Sequence, residues 1–374
     1  MIKRSILSEI EKRLFKGKII IIYGPRRAGK TTLAKEILRK HNQPEGYFNC
    51  EEPDINQALT NKTSTELKKL IGKRKLVVLD EAQKVKNIGL TLKLLVDNFP
   101  KIQIIATGSS SFDLANETSE PLTGRAFEFK LFPFSLGELK QKYGELETGR
   151  LLETFLRFGT YPEVVQADLG FAGELISDIS KNYLYKDILE FERLKNPDLV
   201  LKLLQALALQ LGSEVAYTEL ANLLGVDKLT VERYIQILEK AFVIFRLAPL
   251  SRNLRKELTK MRKIYFCDLG VRNSLINNFN ELSLRTDTGA LWENFCILER
   301  LKLNSSKKLL TNTYFWRTYD QKEIDYLEEA GGTFKAFEFK WKKDNHKFPK
   351  EFGAAYPRSE FKLITRENLW DILK

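Results

Sequence analysis

Residues 18–33, Lys-Ile-Ile-Ile-Ile-Tyr-Gly-Pro-Arg-Arg-Ala-Gly-Lys-Thr-Thr-Leu, decide the fold. Residues 24–31 fit the pattern G-x-x-x-x-G-K-[ST]. The apolar run before them reads as a buried strand, and Thr31, Thr32 and Leu33 open a helix, which is the setting such a loop requires. Gly24, Pro25, Arg26, Arg27, Ala28, Gly29, Lys30, Thr31 and Thr32 form a candidate nucleotide-binding loop. Its glycines let backbone N–H groups face a polyphosphate, Lys30 reaches the β- and γ-phosphates, and the Thr31 hydroxyl can hold magnesium. The helix N-terminus adds a potential that favours anions.

A second motif stands where the first requires one. Leu76-Val-Val-Leu79 reads as a strand ending in Asp80-Glu81. Asp80 can hold the magnesium, and Glu81 can orient or deprotonate an attacking water. A third strand, Lys101 to Ala106, ends in Thr107-Gly-Ser-Ser-Ser111. The hydroxyls of Thr107 and Ser109 either sense a γ-phosphate or simply cap the loop. Tyr47-Phe-Asn49 and Phe127 to Phe132 complete a parallel sheet, with the ligand at the carboxyl ends of its strands. Arg125 precedes the last strand. On position alone it reads as a surface arginine after a turn glycine.

Composition narrows the partners. The chain has 374 residues and a formal net charge of +12, which favours an acidic partner, nucleic acid before others, over generic solubility. No apolar stretch is long enough to span a membrane, and the charged start Met1-Ile-Lys-Arg4 carries no secretory pattern. Cys50, Cys267 and Cys296 lack metal-ligand spacing and read as reduced thiols of a cytoplasmic protein. With His41 and His346 the only histidines, zinc and histidine triads are poor fits.

Beyond residue 133 a 3.6-residue periodicity predicts helices to about Asn196, broken at Gly159-Thr-Tyr-Pro162. They would form a lid. Residues 199–211, 217–224 and 229–241 read as three helices, with Asp227 an N-cap and Val231, Tyr234, Ile235, Leu238 and Phe242 on the apolar face of the third. Lys228, Thr230 and Arg233 remain at its outward start, where a recognition helix meets base edges. Phe242–Phe245 and Lys263–Phe266 read as a strand pair. The run between them, with Arg252, Arg255, Lys256, Lys260, Arg262 and Lys263, reads as a basic wing able to bind phosphates, or as a solvated loop.

The last hundred residues hold a second constellation. Glu293 lies on a helix, Asp325 on one strand, and Glu338 and Lys340 on the next, where alternation puts them on one face. Asp325 and Glu338 could bind magnesium or manganese, and a lysine beside the metal suits phosphodiester hydrolysis. An acid–base ladder on a solvent face is the alternative. The order helix, three strands, helix, strand fits the PD-(D/E)XK nuclease fold.

With GPRRAGKTTL, LVVLDEAQ, ATGSSS, PLTGRAFEF, FGTYPEVV, YLYKDI, ALWENF, YFWRTYDQKEIDY and FEFKW in place, nearly the whole chain resembles the prokaryotic AAA-type P-loop ATPases that carry a C-terminal domain of unknown function. The resemblance implies an α/β fold: a P-loop NTPase sheet of AAA/ASCE type over 1–135, a helical lid over 136–195, a winged helix over 196–265 and a restriction-endonuclease-like domain over 266–374. It implies ATP and magnesium as ligands, supports Glu81 as the catalytic carboxylate, and makes Arg125 a candidate finger acting in trans, hence a homo-oligomer. The expected activity is ATP hydrolysis that controls a DNA-associated C-terminal region, with metal-dependent cleavage at Asp325, Glu338, Lys340 and Glu293. The rival is a nucleotide switch or scaffold whose nuclease-like domain only binds.

Overall fold

Four isoleucines in a row cannot all face one core, because successive strand residues point to opposite faces. The computed structural model, which describes residues 2–108, 122–192, 196–250, 262–318, 320–342 and 347–374 (side chains of 182–192 excepted), shows how they are shared. Ile19, Ile21 and Tyr23 join Leu79, Ala106 and Leu92 in one cluster, and Ile20 and Ile22 join Leu33, Ile37 and Ile105 in another. Each fully buried aliphatic side chain contributes about 1.5–3 kcal/mol. A strand covered on both faces is what an all-parallel sheet requires.

The described residues fall into two units. The first takes those of 1–134, 183–194 and 240–242; the second takes those of 135–182, 195–239 and 243–374. In the first, β1 (Ile19–Tyr23), β2 (Tyr47–Asn49), β3 (Leu76–Asp80), β4 (Gln103–Gly108) and β5 (Ala126–Lys130) form a parallel sheet in the order β2-β3-β4-β1-β5. The strand leading into the loop thus lies between β4 and β5, in register Ile22 to Thr107 and Ile22 to Phe129. Helix Lys30–Lys40 follows the loop and buries Leu33, Ala34, Ile37 and Leu38. Helix Ser64–Ile71 starts at a reciprocal Thr63–Glu66 capping box and stops at Gly72, whose φ is 64°.

The second unit opens with helix Leu136–Tyr143, capped by Ser135 and Glu138, then Glu145–Arg150 and Leu152–Phe158. The break predicted at Gly159 has a packing cause. Asp268 caps helix Leu269–Leu275 through Val271 N at 3.1 Å and accepts from Thr160 N at 2.8 Å. A Cβ on Gly159 would collide with the Asp268 carboxylate, and one on Gly270 would collide with the Phe158 carbonyl. Burial raises the Asp268 pKa to about 6, against the lowering effect of Thr160 N–H and Lys302.

Helices Pro197–Leu209, Tyr217–Leu224 and Lys228–Lys240 follow, close to the expected bounds. Gly225 ends the second in the left-handed region at φ 66°, and Asp227 accepts from Thr230 N at 2.8 Å to start the third. Phe242 is a correction: it does not extend the third helix's stripe but takes φ 58° and joins the core of the first unit. A helix cannot continue through a non-glycine residue in that conformation.

The strands of the second unit make one sheet. β6 (Glu214–Val215), β7 (Ile244–Pro249), β8 (Arg262–Phe266), β9 (Asn312–Arg317), β10 (Glu323–Ala330), β11 (Thr333–Phe339) and β12 (Glu360–Ile364) run in the order β12-β11-β10-β9-β7-β8-β6. β7 and β8 pair antiparallel, and β7 pairs parallel with β9, Ala248 opposite Tyr314. The sheet therefore crosses the joint expected at 265/266. Gly331 and Gly332, at φ 58° and 76°, supply the two positive-φ positions that the tight β10–β11 turn needs. Helix Lys350–Ala355 precedes β12, which lies parallel to β11.

Candidate functional site

The loop after β1 is fixed before any nucleotide arrives. A Cβ on Gly24 would collide with the carbonyl of Leu131, whose N–H donates to Tyr23 O at 2.7 Å. Gly24 is thus required by the neighbouring strand as much as by a phosphate. Gly29, at φ 96°, stands before the first residue of helix Lys30–Lys40. Lys30 is buried and donates to Gly24 O at 2.9 Å and Pro25 O at 3.0 Å, its ammonium folded across the loop. Arg27 takes φ 56°, and Arg26 lies 3.9 Å from Glu51. Arg4, which the sequence reading passed over, donates through Nη1 to Ala28 O at 2.9 Å and through Nη2 to Phe132 O, with its guanidinium 4.8 Å from the centre of the Phe134 ring.

Asp80 gathers hydroxyls. It accepts from Thr31 Oγ1 at 2.7 Å, from Tyr47 Oη at 2.7 Å and from Thr107 Oγ1. Thr107 also accepts from Glu81 N at 3.1 Å, so the ends of β3 and β4 are tied together. Burial, then the hydrogen bond to Asp80, raises the Tyr47 pKa far above its ordinary value. Glu81 sits in the left-handed region at φ 52° and accepts from Gln83 Nε2 at 2.6 Å. Oxygen ligands suit magnesium, and Thr31 and Asp80 already stand side by side, so these residues fit the ion such a loop implies. Thr32 lies in the helix's first turn. Ser109 lies outside the described residues.

Arg125 is elsewhere. Its carbonyl accepts from Ile19 N at 2.9 Å, at the start of β1, whereas the loop follows Tyr23, which pairs with Lys130. About five strand residues, roughly 16 Å, separate the two ends. Arg125 Nε donates to Asp97 Oδ1 at 2.7 Å on an exposed surface.

The second unit holds a cavity of about 790 Å³ that brings together Glu293, Asp325, Glu338 and Lys340, with Glu323 and Lys263 beside them. Lys340 Nζ lies 2.7 Å from Glu338 Oε1, and Asp325 Oδ2 accepts from Phe339 N at 2.9 Å. β10 shifts register against β9 between Ile324 and Leu327, an irregularity of the kind that re-aims a side chain such as Asp325. Burial, then the charges of Glu293 and Glu338, raises the Asp325 pKa well above the usual carboxylate range. Burial lowers the Lys340 pKa, but Asp325 and Glu338 outweigh it and the net shift is upward.

Lys263 corrects the wing assignment. It is 4% exposed and faces Glu293 at 3.2 Å and Glu323, rather than solvent. Tyr265, two residues on, donates to the same Glu293 oxygen at 2.5 Å. Arg252, Arg255, Lys256 and Lys260 lie outside the described residues. In this cavity the two carboxylates assigned to a metal are already met, Asp325 by the Phe339 N–H and Glu338 by the Lys340 ammonium. Among the described residues no three His, Cys, Asp or Glu side chains are placed to hold a metal ion. Lys263 and Lys340 already pair with Glu293, Glu323 and Glu338, so these residues do not fit a divalent ion as they stand.

Comparisons with known proteins agree with the first unit. Residues 16–140 match the family described as an AAA domain. The N-terminal part is AAA-like. Such a domain implies nucleotide binding and ATPase chemistry, typically with magnesium. Residues 149–282 and 288–368 match two families, each described as a domain of unknown function. An uncharacterized protein of Mycobacterium tuberculosis is 28% identical over 341 residues, spanning 90% of this chain and 74% of its own. One from Methanocaldococcus jannaschii is 28% identical over 85% of this chain and 74% of its own, and one from Haemophilus influenzae is 24% identical over 83% and 79%. Among solved structures, the Drosophila ORC bound to AT-rich DNA and Cdc6 aligns with a TM-score of 0.26 at 10% identity, over 73% of this chain and 92% of that one. A Vibrio cholerae protein aligns at 0.18 and 11%, over 93% and 88%. No helix among the described residues is long and apolar enough to cross a membrane.

Proposed function

We propose that this chain hydrolyses ATP in its first unit and uses the nucleotide state to control a DNA-associated second unit. The observation that carries the ATP reading is Asp80 holding Thr31, Tyr47 and Thr107 at the carboxyl ends of the strands beside the loop. Incoming phosphate would take the Lys30 ammonium from Gly24 O and Pro25 O. The loop N–H groups and the helix N-terminus would bind the remaining charge. Bound magnesium, held through Thr31 and Asp80, would neutralise phosphate charge. Glu81, oriented by Gln83, would position the attacking water. Arg125 lies at the other end of its own sheet, so a role for it requires a nucleotide on a second subunit. The test is ATP turnover by Lys30→Ala and Glu81→Gln. Both should fall at least about a hundredfold, and full turnover in either variant would overturn the reading.

The DNA reading treats 196–265 as a winged helix and 266–374 as a nuclease-like domain, with the helices before them as a lid. The formal net charge of +12 supports it, as do the exposed Lys228 and Arg233 at the start of the third helix. Cleavage would use Asp325, Glu338, Lys340 and Glu293. The rival, a pocket that binds without cutting, is favoured by Lys263 among those carboxylates. A supercoiled-plasmid assay with magnesium or manganese, with and without ATP, beside Lys340→Ala, decides between them. Nicking lost in the variant means a nuclease; no nicking means a binding domain.

A further inference from the structure

We infer that Lys263 is the resident cation of the carboxylate pocket, so that the pocket is complete without a divalent metal. The inference rests on reading this cavity as the nuclease-like site, and it assigns a role to a strand outside the helix-strand segment that carries that resemblance. Lys263 comes from β8, is buried, and lies 5.5 Å from the centre of the Phe315 ring. Its ammonium bridges Glu293 and Glu323, one from helix Thr288–Ser306 and one from β10. Tyr265 shares its face of β8 and fixes the same Glu293 oxygen, so Glu293 is held from the strand side by two donors. Lys340, also in the cavity wall, holds Glu338. Two lysines thus stand among the four carboxylates Glu293, Glu323, Asp325 and Glu338.

A divalent ion bound by those carboxylates would compete for oxygens that the two ammonium groups already hold. It would either bear their repulsion or displace one lysine into a buried position without its counter-charge, and each course is costly in a low-dielectric site. The positive charge that an ion would supply is built into the chain.

The test is electron paramagnetic resonance of Mn2+ titrated into the full chain without nucleotide. Wild type and Asp325→Asn are expected to bind the same number of Mn2+ ions, any ion at Asp80 being common to both. Lys263→Met is expected to bind one more, lost again in Lys263→Met with Asp325→Asn. A wild-type ion that Asp325→Asn abolishes overturns the inference, and so does a folded Lys263→Met that gains none. The first comparison needs no Lys263 variant, so it stands even if that buried substitution prevents folding. Because ions are counted in the absence of DNA, the result is separate from the plasmid assay on which the nuclease-like reading depends.

Discussion

Arg4 and Tyr47 hold the nucleotide site from outside its motifs. Arg4 bonds two carbonyls, one in the loop and one after β5. Arg4→Ala should cost about 2 kcal/mol, the scale of a lost charged hydrogen bond, and raise the KM for ATP more than it lowers kcat. Arg4→Lys should recover part of both. Urea unfolding and steady-state kinetics check this. Tyr47→Phe removes one donor to Asp80 and should cost about 1 kcal/mol in the same unfolding experiment. Asp268 gives a pH dependence with a definite sign. Its folded pKa of about 6 lies above the unfolded value of 3.8, so its contribution is full below pH 4 and lost as pH rises through 6. That loss amounts to roughly 3 kcal/mol. Asp268→Asn keeps one acceptor oxygen but turns an amide N–H2 toward the other N–H, so it should be less stable at low pH and should lack this slope when urea midpoints are compared across that range. The loop and Asp80-Glu81 were legible because each motif is a contiguous run whose meaning is local. Arg4, Tyr47 and Lys263 were not, since each acts on a group distant in sequence: Ala28, Asp80 and Glu293.

At the scale of elements, periodicity and caps located the helices from Tyr217 onward closely, because Gly225 and Asp227 announce a stop and a start. The C-terminal order of helix, three strands, helix and strand was likewise readable from alternation. What alternation could not give was the partner of β7. Parallel pairing with β9 leaves no local mark, since strands so far apart share no turn. Arg246, on β7, ties the third helix to this sheet: it meets Glu239 through Nε at 2.9 Å and Nη2 at 2.5 Å. Burial lowers the Arg246 pKa, but Glu239 outweighs it. Arg246→Met leaves Glu239 partly buried without its cation and should destabilise the second unit by about 2 kcal/mol. A double-mutant cycle with Glu239→Gln should recover most of that.

For the whole molecule, the charge of +12 sets the expected response to salt. If phosphate contacts carry DNA association, affinity for a duplex should fall linearly on a log–log plot, losing at least about tenfold between roughly 50 and 200 mM salt. Fluorescence anisotropy measures this, and a flat response would sink the DNA reading. The continuous seven-stranded sheet has another consequence, for how the second unit comes into being. β7 meets its neighbour on one side only after 66 further residues have been made, counting from Ala248 to Tyr314. Severing the chain between Phe266 and Cys267 would strip one edge of β7 and one of β9 of their hydrogen-bonding partners at a stroke. Bare edges recruit other chains. Each half, expressed alone, should therefore associate with itself rather than persist as a monomer, and the two halves mixed should find each other.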